Sequence, residues 1–276
     1  MNRYIHSNSK QYFAFNIWSV ETAKAVIDAA SKVHRAVILQ TSMKAFESLE
    51  KEELRAFVTS YSQKKNICAY LHLDHCQRVD VIQKAVELGW DSVMIDASDK
   101  PLKENIHLTN EACAAVMGKN ILVEAEIGRV GGTEEEISDE EAGIARLEDI
   151  KTFLQSTTID MLAVAIGTSH GLYRGTPKLH YDLIERTGRF SNIPLVIHGG
   201  TGLTEEMFLK LLSFQNIKKI NISTDVKLAY RRGIEESIQN GYLKEKGFDP
   251  LRVEDMIHDS IENMVADRLA LLQNEQ

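Results

Sequence analysis

The sequence predicts an α/β fold: a (β/α)8 TIM barrel with an extra C-terminal helix, one domain over residues 1–276. Three observations predict it. The length, 276 residues, suits one barrel, which typically takes about 250. Eight short runs rich in Val, Ile and Ala recur along the chain, and stretches with helical spacing separate them. Strands alternating with helices make a parallel sheet, and strands covered on both faces read as nearly continuous apolar runs.

In order, the candidate strands are residues 12–16, 36–41, 68–74, 92–97, 121–127, 161–167, 194–200 and 218–224. Residues 79–88 and 104–117 carry apolar side chains at helical spacing and serve as crossovers. Residues 131–141 break the pattern with Gly131-Gly132 and a dense acidic run, just where a barrel puts an active-site loop. Beyond the eighth run, residues 227–239 and 253–272 form the extra helical tail, a candidate subunit contact. A doubly wound open sheet is the rival architecture.

Composition excludes several classes. With 43 % hydrophobic and 26 % charged residues the chain reads as globular, and a net charge of −8 argues against nucleic acid. No run approaches eighteen apolar residues, so no membrane span is expected. Residues 1–10 are polar and lack the apolar core of a signal peptide, which leaves the cytoplasm as the expected compartment. The cysteines Cys68, Cys76 and Cys113 show no paired spacing, and the apolar surroundings of Cys68 and Cys113 predict buried free thiols.

A barrel works at the C-terminal ends of its strands. Those ends carry Asn16, Gln40, Asp74-His75, Asp96, Glu126, His170, His198-Gly199-Gly200 and the segment from Asn221 to Asp225. Such a ring of polar groups on apolar strands is hard to explain by packing. His75, His170 and His198 follow three different strands, and three imidazoles with one open position make a catalytic zinc site. The other six histidines lack this placement and are expected on the surface or on helices. Asp74, at the rim, is placed to exchange a proton with a substrate hydroxyl, or to orient a histidine. Glu134 and Glu135, behind the two glycines, ride a loop able to swing in. Gly199-Gly200-Thr201-Gly202 precedes a helix opening at Thr204, and exposed amides beside a helix N-terminus suit a phosphate.

At these residues the sequence resembles the class II, zinc-dependent fructose/tagatose-bisphosphate aldolases. The pieces are Leu73-Asp74-His75, Met94-Ile95-Asp96-Ala97-Ser98, Glu124-Ala125-Glu126-Ile127-Gly128, Gly167-Thr168-Ser169-His170-Gly171, His198-Gly199-Gly200 and Asn221-Ile222-Ser223-Thr224-Asp225. The resemblance implies reversible cleavage of a ketose (bis)phosphate to dihydroxyacetone phosphate and an aldehyde. It implies zinc (Zn2+) on His75, His170 and His198, with Glu126 and Asp96 as alternative or supporting ligands. Asp74 would handle the C4 hydroxyl proton and Glu134 the C3 proton. Gly171, Gly199, Gly200, Thr201, Asn221, Ser223 and Thr224 would line the phosphate pocket, where a monovalent cation (Na+ or K+) also binds. Arg174 stands where the family usually has lysine; Asn16, Gln40 and Ser42 would line the rest of the substrate. A homodimer or homotetramer is the implied assembly.

The chain departs from the family at Ser223, which is Asp in most fructose-bisphosphate members and Ala in tagatose ones. It departs again at Met43-Lys44, where glycine commonly follows Ser42, and at Thr201, which replaces serine. Two rival functions remain: a zinc-dependent hydrolase on the same barrel, and a non-catalytic sugar-phosphate-binding barrel. The glycine pocket counts against the first, and the intact Asp74 and Glu134 against the second.

Overall fold

The computed structural model describes residue 5 and residues 10–134, 137–139, 143–173 and 175–272, with the backbone alone at 132–134 and 137–139. Its elements run β1 (Tyr12–Asn16), α1 (Val20–Lys32), β2 (Val37–Ser42), α2 (Met43–Ser48), α3 (Lys51–Lys64), β3 (Ala69–Cys76), α4 (Val79–Glu87), β4 (Ser92–Ile95), α5 (Leu102–Ala115) and β5 (Leu122–Ile127). Then come β6 (Gly131–Glu134), β7 (Ile137–Asp139), α6 (Leu147–Ser156), β8 (Met161–Val164), β9 (Ser169–His170), α7 (Tyr181–Gly188), β10 (Leu195–Ile197), α8 (Glu205–Leu212), β11 (Ile217–Ile222), α9 (Thr224–Gln239) and α10 (Pro250–Ala270).

Eight strands close a barrel in the order β1-β11-β10-β8-β5-β4-β3-β2, every neighbouring pair parallel. All eight predicted strands are present, so the closed barrel replaces the open-sheet alternative. Four strands, β4, β8, β10 and β11, end earlier than expected, β4 at Ile95. β8 stops at Val164 and β10 at Ile197, and beyond them Gly167 (φ +96°) and Gly199 (φ +70°) take the chain into the left-handed region. Likewise β11 stops at Ile222, which places Ser223 beyond the strand. The acidic segment expected as a loop is a hairpin, β6 with β7, and β6 pairs in parallel with β9.

Alternation along the strands sorts the side chains into two cores. Phe13, Phe15, Leu39, Leu71, Leu73, Val123, Ala125, Leu195 and Ile197 face outward, packed under the helices. The inward set forms layers, as barrels do. At the N-terminal end Ile5, Tyr12, Ala14, Ile38, Leu122, Met161, Ala163 and Val196 make an apolar plug. Above it lie His72, Ser92, Glu124 and Lys219, and above them Asn16, Gln40, Asp74, Asp96, Glu126 and Asn221, all buried.

The helices carry their own start signals. Ser19 and Thr22 cap α1 reciprocally, and Asp249 caps α10 ahead of Pro250. The extra helix α10 buries Ile261, Val265 and Leu269 against α1 and α9. It comes so close that a Cβ on Gly233 would stand 2.4 Å from Ile257 Cα. Among the described residues no helix is long and apolar enough to cross a membrane.

Two expectations fail. Cys68 is exposed and Cys113 half-buried, while Cys76 is the buried thiol. Ala112 faces the core of α5, and one step of about 100° rotates Cys113 away from it. His72, expected on the surface or on a helix, lies in β3 and is wholly buried inside the barrel.

Candidate metal centre and active site

His75 enters the site through a backbone irregularity. By strict alternation, Asp74 and His75 would face opposite sides of β3. The pairing of β3 with β4 shifts register between Leu73 and Cys76, and His75 adopts φ +45°. A bulge of this kind re-aims a side chain, and here it turns both residues toward the barrel mouth. His170 lies in β9 and His198 one residue beyond β10, so three elements deliver three imidazoles. Their ring centroids stand 5.0 Å (His75–His170), 4.5 Å (His75–His198) and 6.1 Å (His170–His198) apart. One ligand atom from each falls within 4.8 Å of the others, and the same holds for His75, Asp96 and Glu126.

Carboxylates hold two of these rings from behind. Asp96 Oδ2 lies 2.6 Å from His75 Nδ1 and takes the Ser98 amide on its other oxygen. Glu124 Oε1 accepts from His198 Nε2 at 2.9 Å. The opposite nitrogens, His75 Nε2 and His198 Nδ1, are buried without hydrogen-bond partners, as is Glu126 Oε2, which sits 3.1 Å from His198 Nδ1. Buried polar atoms are normally satisfied. Orphaned imidazole nitrogens, each backed by a carboxylate, are the arrangement that a metal ligand needs. The donor set therefore fits a divalent transition metal.

The field points the same way. Burial disfavours charge on His75, but Asp74, Asp96 and Glu126 outweigh it and raise its pKa well above the usual value. Burial and the neighbouring His75 oppose charge on His198, yet its hydrogen bond to Glu124 and the nearby Glu126 carboxylate push it up to about 9. The site thus favours positive charge. Conversely, burial would raise the Asp74 carboxyl, but His75, with His198 and Lys219, together outweigh it and hold it well below the ordinary range.

Asp74 lies inside the barrel, not at its rim. Its oxygens accept from Gln40 Nε2 and Asn221 Nδ2, each at 3.1 Å, and Gln40 also donates to Asn16 Oδ1. An ionised carboxylate only accepts, so both amides turn their NH2 groups to it. That leaves Gln40 Oε1 and Asn221 Oδ1 as buried, unpartnered acceptors.

Beside His198, Gly199 and Gly200 are required by close packing: a Cβ would lie 2.4 Å from Ser169 O at the first and 2.7 Å from Asn221 O at the second. The open helix end here belongs to α9 instead of α8. Thr204 caps α8, whose first turn carries Glu205 and Glu206, both unfavourable to an anion. Ser223 precedes α9 without capping it, and its Oγ is buried without a partner. Thr201 Oγ1 accepts from the Asp225 amide at 3.1 Å, and the Asp225 carboxylate is paired with Arg268 at 2.9 Å. Thr224 opens α9, and Gly171 follows His170 directly. Ser42 caps α2, its hydroxyl accepting from Ala45 N at 3.2 Å. The Glu134 backbone is in β6, whose Gly132 pairs with His170; its side chain and all of Glu135 and Arg174 lie outside the described residues.

The layer formed by His72, Glu124 and Lys219 escaped the sequence reading. Its signal was present: ionisable residues two positions before Asp74, Glu126 and Asn221, on the same strand face.

The chain matches the family described as fructose-bisphosphate aldolase class-II over residues 1–276. It is similar to the crystal structure of the YdjI aldolase from Escherichia coli K12, at 26% identity and TM-score 0.80, over 96% of this chain and 92% of that one. A candidate fructose-1,6-biphosphate aldolase from Coccidioides immitis matches at 25% identity and TM-score 0.85, covering 98% and 93%. Fructose-bisphosphate aldolase from Campylobacter jejuni, at 21% identity and TM-score 0.79 over 98% and 92%, shares the fold.

Proposed function

The chain belongs to the class II fructose-bisphosphate aldolase family, and from that premise we propose that it is a zinc-dependent lyase. It reversibly cleaves a ketose phosphate to dihydroxyacetone phosphate and an aldehyde, with residues 1–276 as one aldolase domain. The observation that carries the reading is the convergence of His75, His170 and His198 beside the ionised, amide-held Asp74. Zinc is the metal proposed because three imidazoles with an open position suit it, and when bound it supplies Lewis acidity for the charge that bond cleavage leaves on the ketose oxygens.

The remaining work falls to the chain. Asp74, held ionised, takes the C4 hydroxyl proton as the carbon–carbon bond breaks and returns it in condensation. Gln40 Oε1 and Asn221 Oδ1 accept from substrate hydroxyls, which orients a polyol. Asn16 steadies Gln40, and Ser42 stands at the same mouth. Amides of Gly171, Gly199, Gly200 and Thr201, with Ser223, Thr224 and the α9 terminus, hold the phosphate, aided by Arg174 and a monovalent cation. Glu134 exchanges the C3 proton of dihydroxyacetone phosphate. Asp96 and Glu126 support the metal. A homodimer or homotetramer is the proposed assembly.

The test is to offer zinc-loaded protein a panel of ketose phosphates and follow dihydroxyacetone phosphate. Release from at least one supports the reading; hydrolysis to free phosphate with no carbon–carbon cleavage would replace it. Glu134→Ala should spare part of the cleavage but sharply slow solvent exchange of the C3 proton.

A further inference from the structure

In the middle layer of the barrel, Lys219, Glu124 and His72 are wholly buried, and none has a part in the reaction outlined above. Lys219 Nζ lies 2.6 Å from Glu124 Oε2 and 3.0 Å from His72 Nε2. Glu124 Oε1 accepts a hydrogen bond from His198 Nε2 at 2.9 Å. An ammonium only donates, so His72 accepts through Nε2 and donates from Nδ1 to Ser92 Oγ at 2.8 Å. His72 Nε2 therefore stays 3.7 Å from Asp74 Oδ1 without bonding it. Burial and Lys219 lower the His72 pKa, which agrees with a neutral ring.

These directions fix the far end of the chain of bonds. A carboxylate compensated by Lys219 offers acceptors alone, so His198 keeps a proton on Nε2. The other nitrogen, Nδ1, is buried, lacks a hydrogen-bond partner and faces Glu126. We propose that Lys219 is a positioning residue: by holding Glu124 as an acceptor, it keeps the His198 proton on Nε2 and leaves Nδ1 to the metal. This rests on the metal-site reading above.

Three full-length variants test it by zinc affinity, measured in competition with a chromophoric chelator. Lys219→Met leaves the Glu124 carboxylate buried with one partner, and affinity should fall about 10–100-fold, as it does when outer partners of ligands are lost. Glu124→Gln alone should weaken binding similarly, because Lys219 and His198 donate to different oxygens, and the amide must turn its NH2 toward one of these two donors. The double variant should recover most of the affinity: the amide oxygen serves His198, and no ammonium remains to be matched. A merely structural role predicts the opposite, a double variant at least as weak as either single. Unchanged affinity in the single variants, or no recovery in the double, overturns the proposal. Should Lys219→Met fail to fold, as judged by circular dichroism, the nearly isosteric Glu124→Gln decides, and full zinc affinity there overturns it. Absence of zinc binding by the unaltered protein would overturn the metal reading itself, and this proposal with it.

Discussion

The two ends of the barrel interior are built from the same strands and do opposite things. At the N-terminal end, Tyr12, Ile38, Leu122, Met161 and Val196 fill the space with apolar side chains. At the C-terminal end β1, β2, β3 and β5 present Asn16, Gln40, Asp74 and Glu126, with Asp96 just past β4 and His198 just past β10, several with orphaned polar atoms. The plug is satisfied and closed. The mouth is costly in isolation and becomes reasonable only with a cation and a polyhydroxylated anion in place. Folding free energy is thus gathered at one end and function at the other.

The largest expected effect that separates the two ends is on catalysis. Asp74→Ala should lower kcat by about 10²–10⁴-fold with zinc still bound, as loss of a general base does. Loss of zinc from that variant would make Asp74 a support of the metal. In the plug, Leu122→Ala should cost about 2–5 kcal/mol of stability in denaturant titration and leave zinc affinity intact. A matching loss of affinity would join the two ends.

The pH dependence sharpens the contrast. In metal-free protein His198 is pushed up to about 9 and His75 is also raised. A raised pKa contributes stability that is present below the unfolded value of about 6.5 and is lost as pH climbs through the folded value. Metal-free protein should therefore weaken between about pH 6.5 and 9 in thermal unfolding, and His198→Gln should flatten that decline. Asp74, depressed, works the other way: its contribution is present above the unfolded value of about 3.9 and lost on acidification.

A smaller effect concerns specificity. Ser223 lies before α9 with its hydroxyl unpartnered, where an aspartate would offer a charged acceptor. A charge-assisted bond is worth about 1.5–3 kcal/mol, so Ser223→Asp should move preference toward fructose 1,6-bisphosphate tenfold or more. Equal kcat/KM for that substrate and all others in the unaltered protein would end this argument.

Much of this was legible in the sequence because periodicity reports burial. The β1 run matched the structure at both ends, since polar Gln11 and Asn16 bracket a continuous apolar run. Turns set by backbone conformation were not legible: past the ends of β8 and β10, Gly167 and Gly199 turn left-handed, which the sequence shows only as glycine. The bulge that aims His75 is likewise a three-dimensional choice. His72, Glu124 and Lys219 were missed because ionisable residues inside apolar strands were read one at a time. Their partners sit on strands far apart in the chain, as the 147-residue separation of His72 and Lys219 shows.

The measurement closest to the central claim is metal content against activity. Purified protein should hold about one zinc per chain, in keeping with a single three-histidine site. Chelation should abolish dihydroxyacetone phosphate release, and added zinc should restore it, while His198→Ala should lose both metal and activity. Full activity in chelator-treated, metal-free protein would contradict the account.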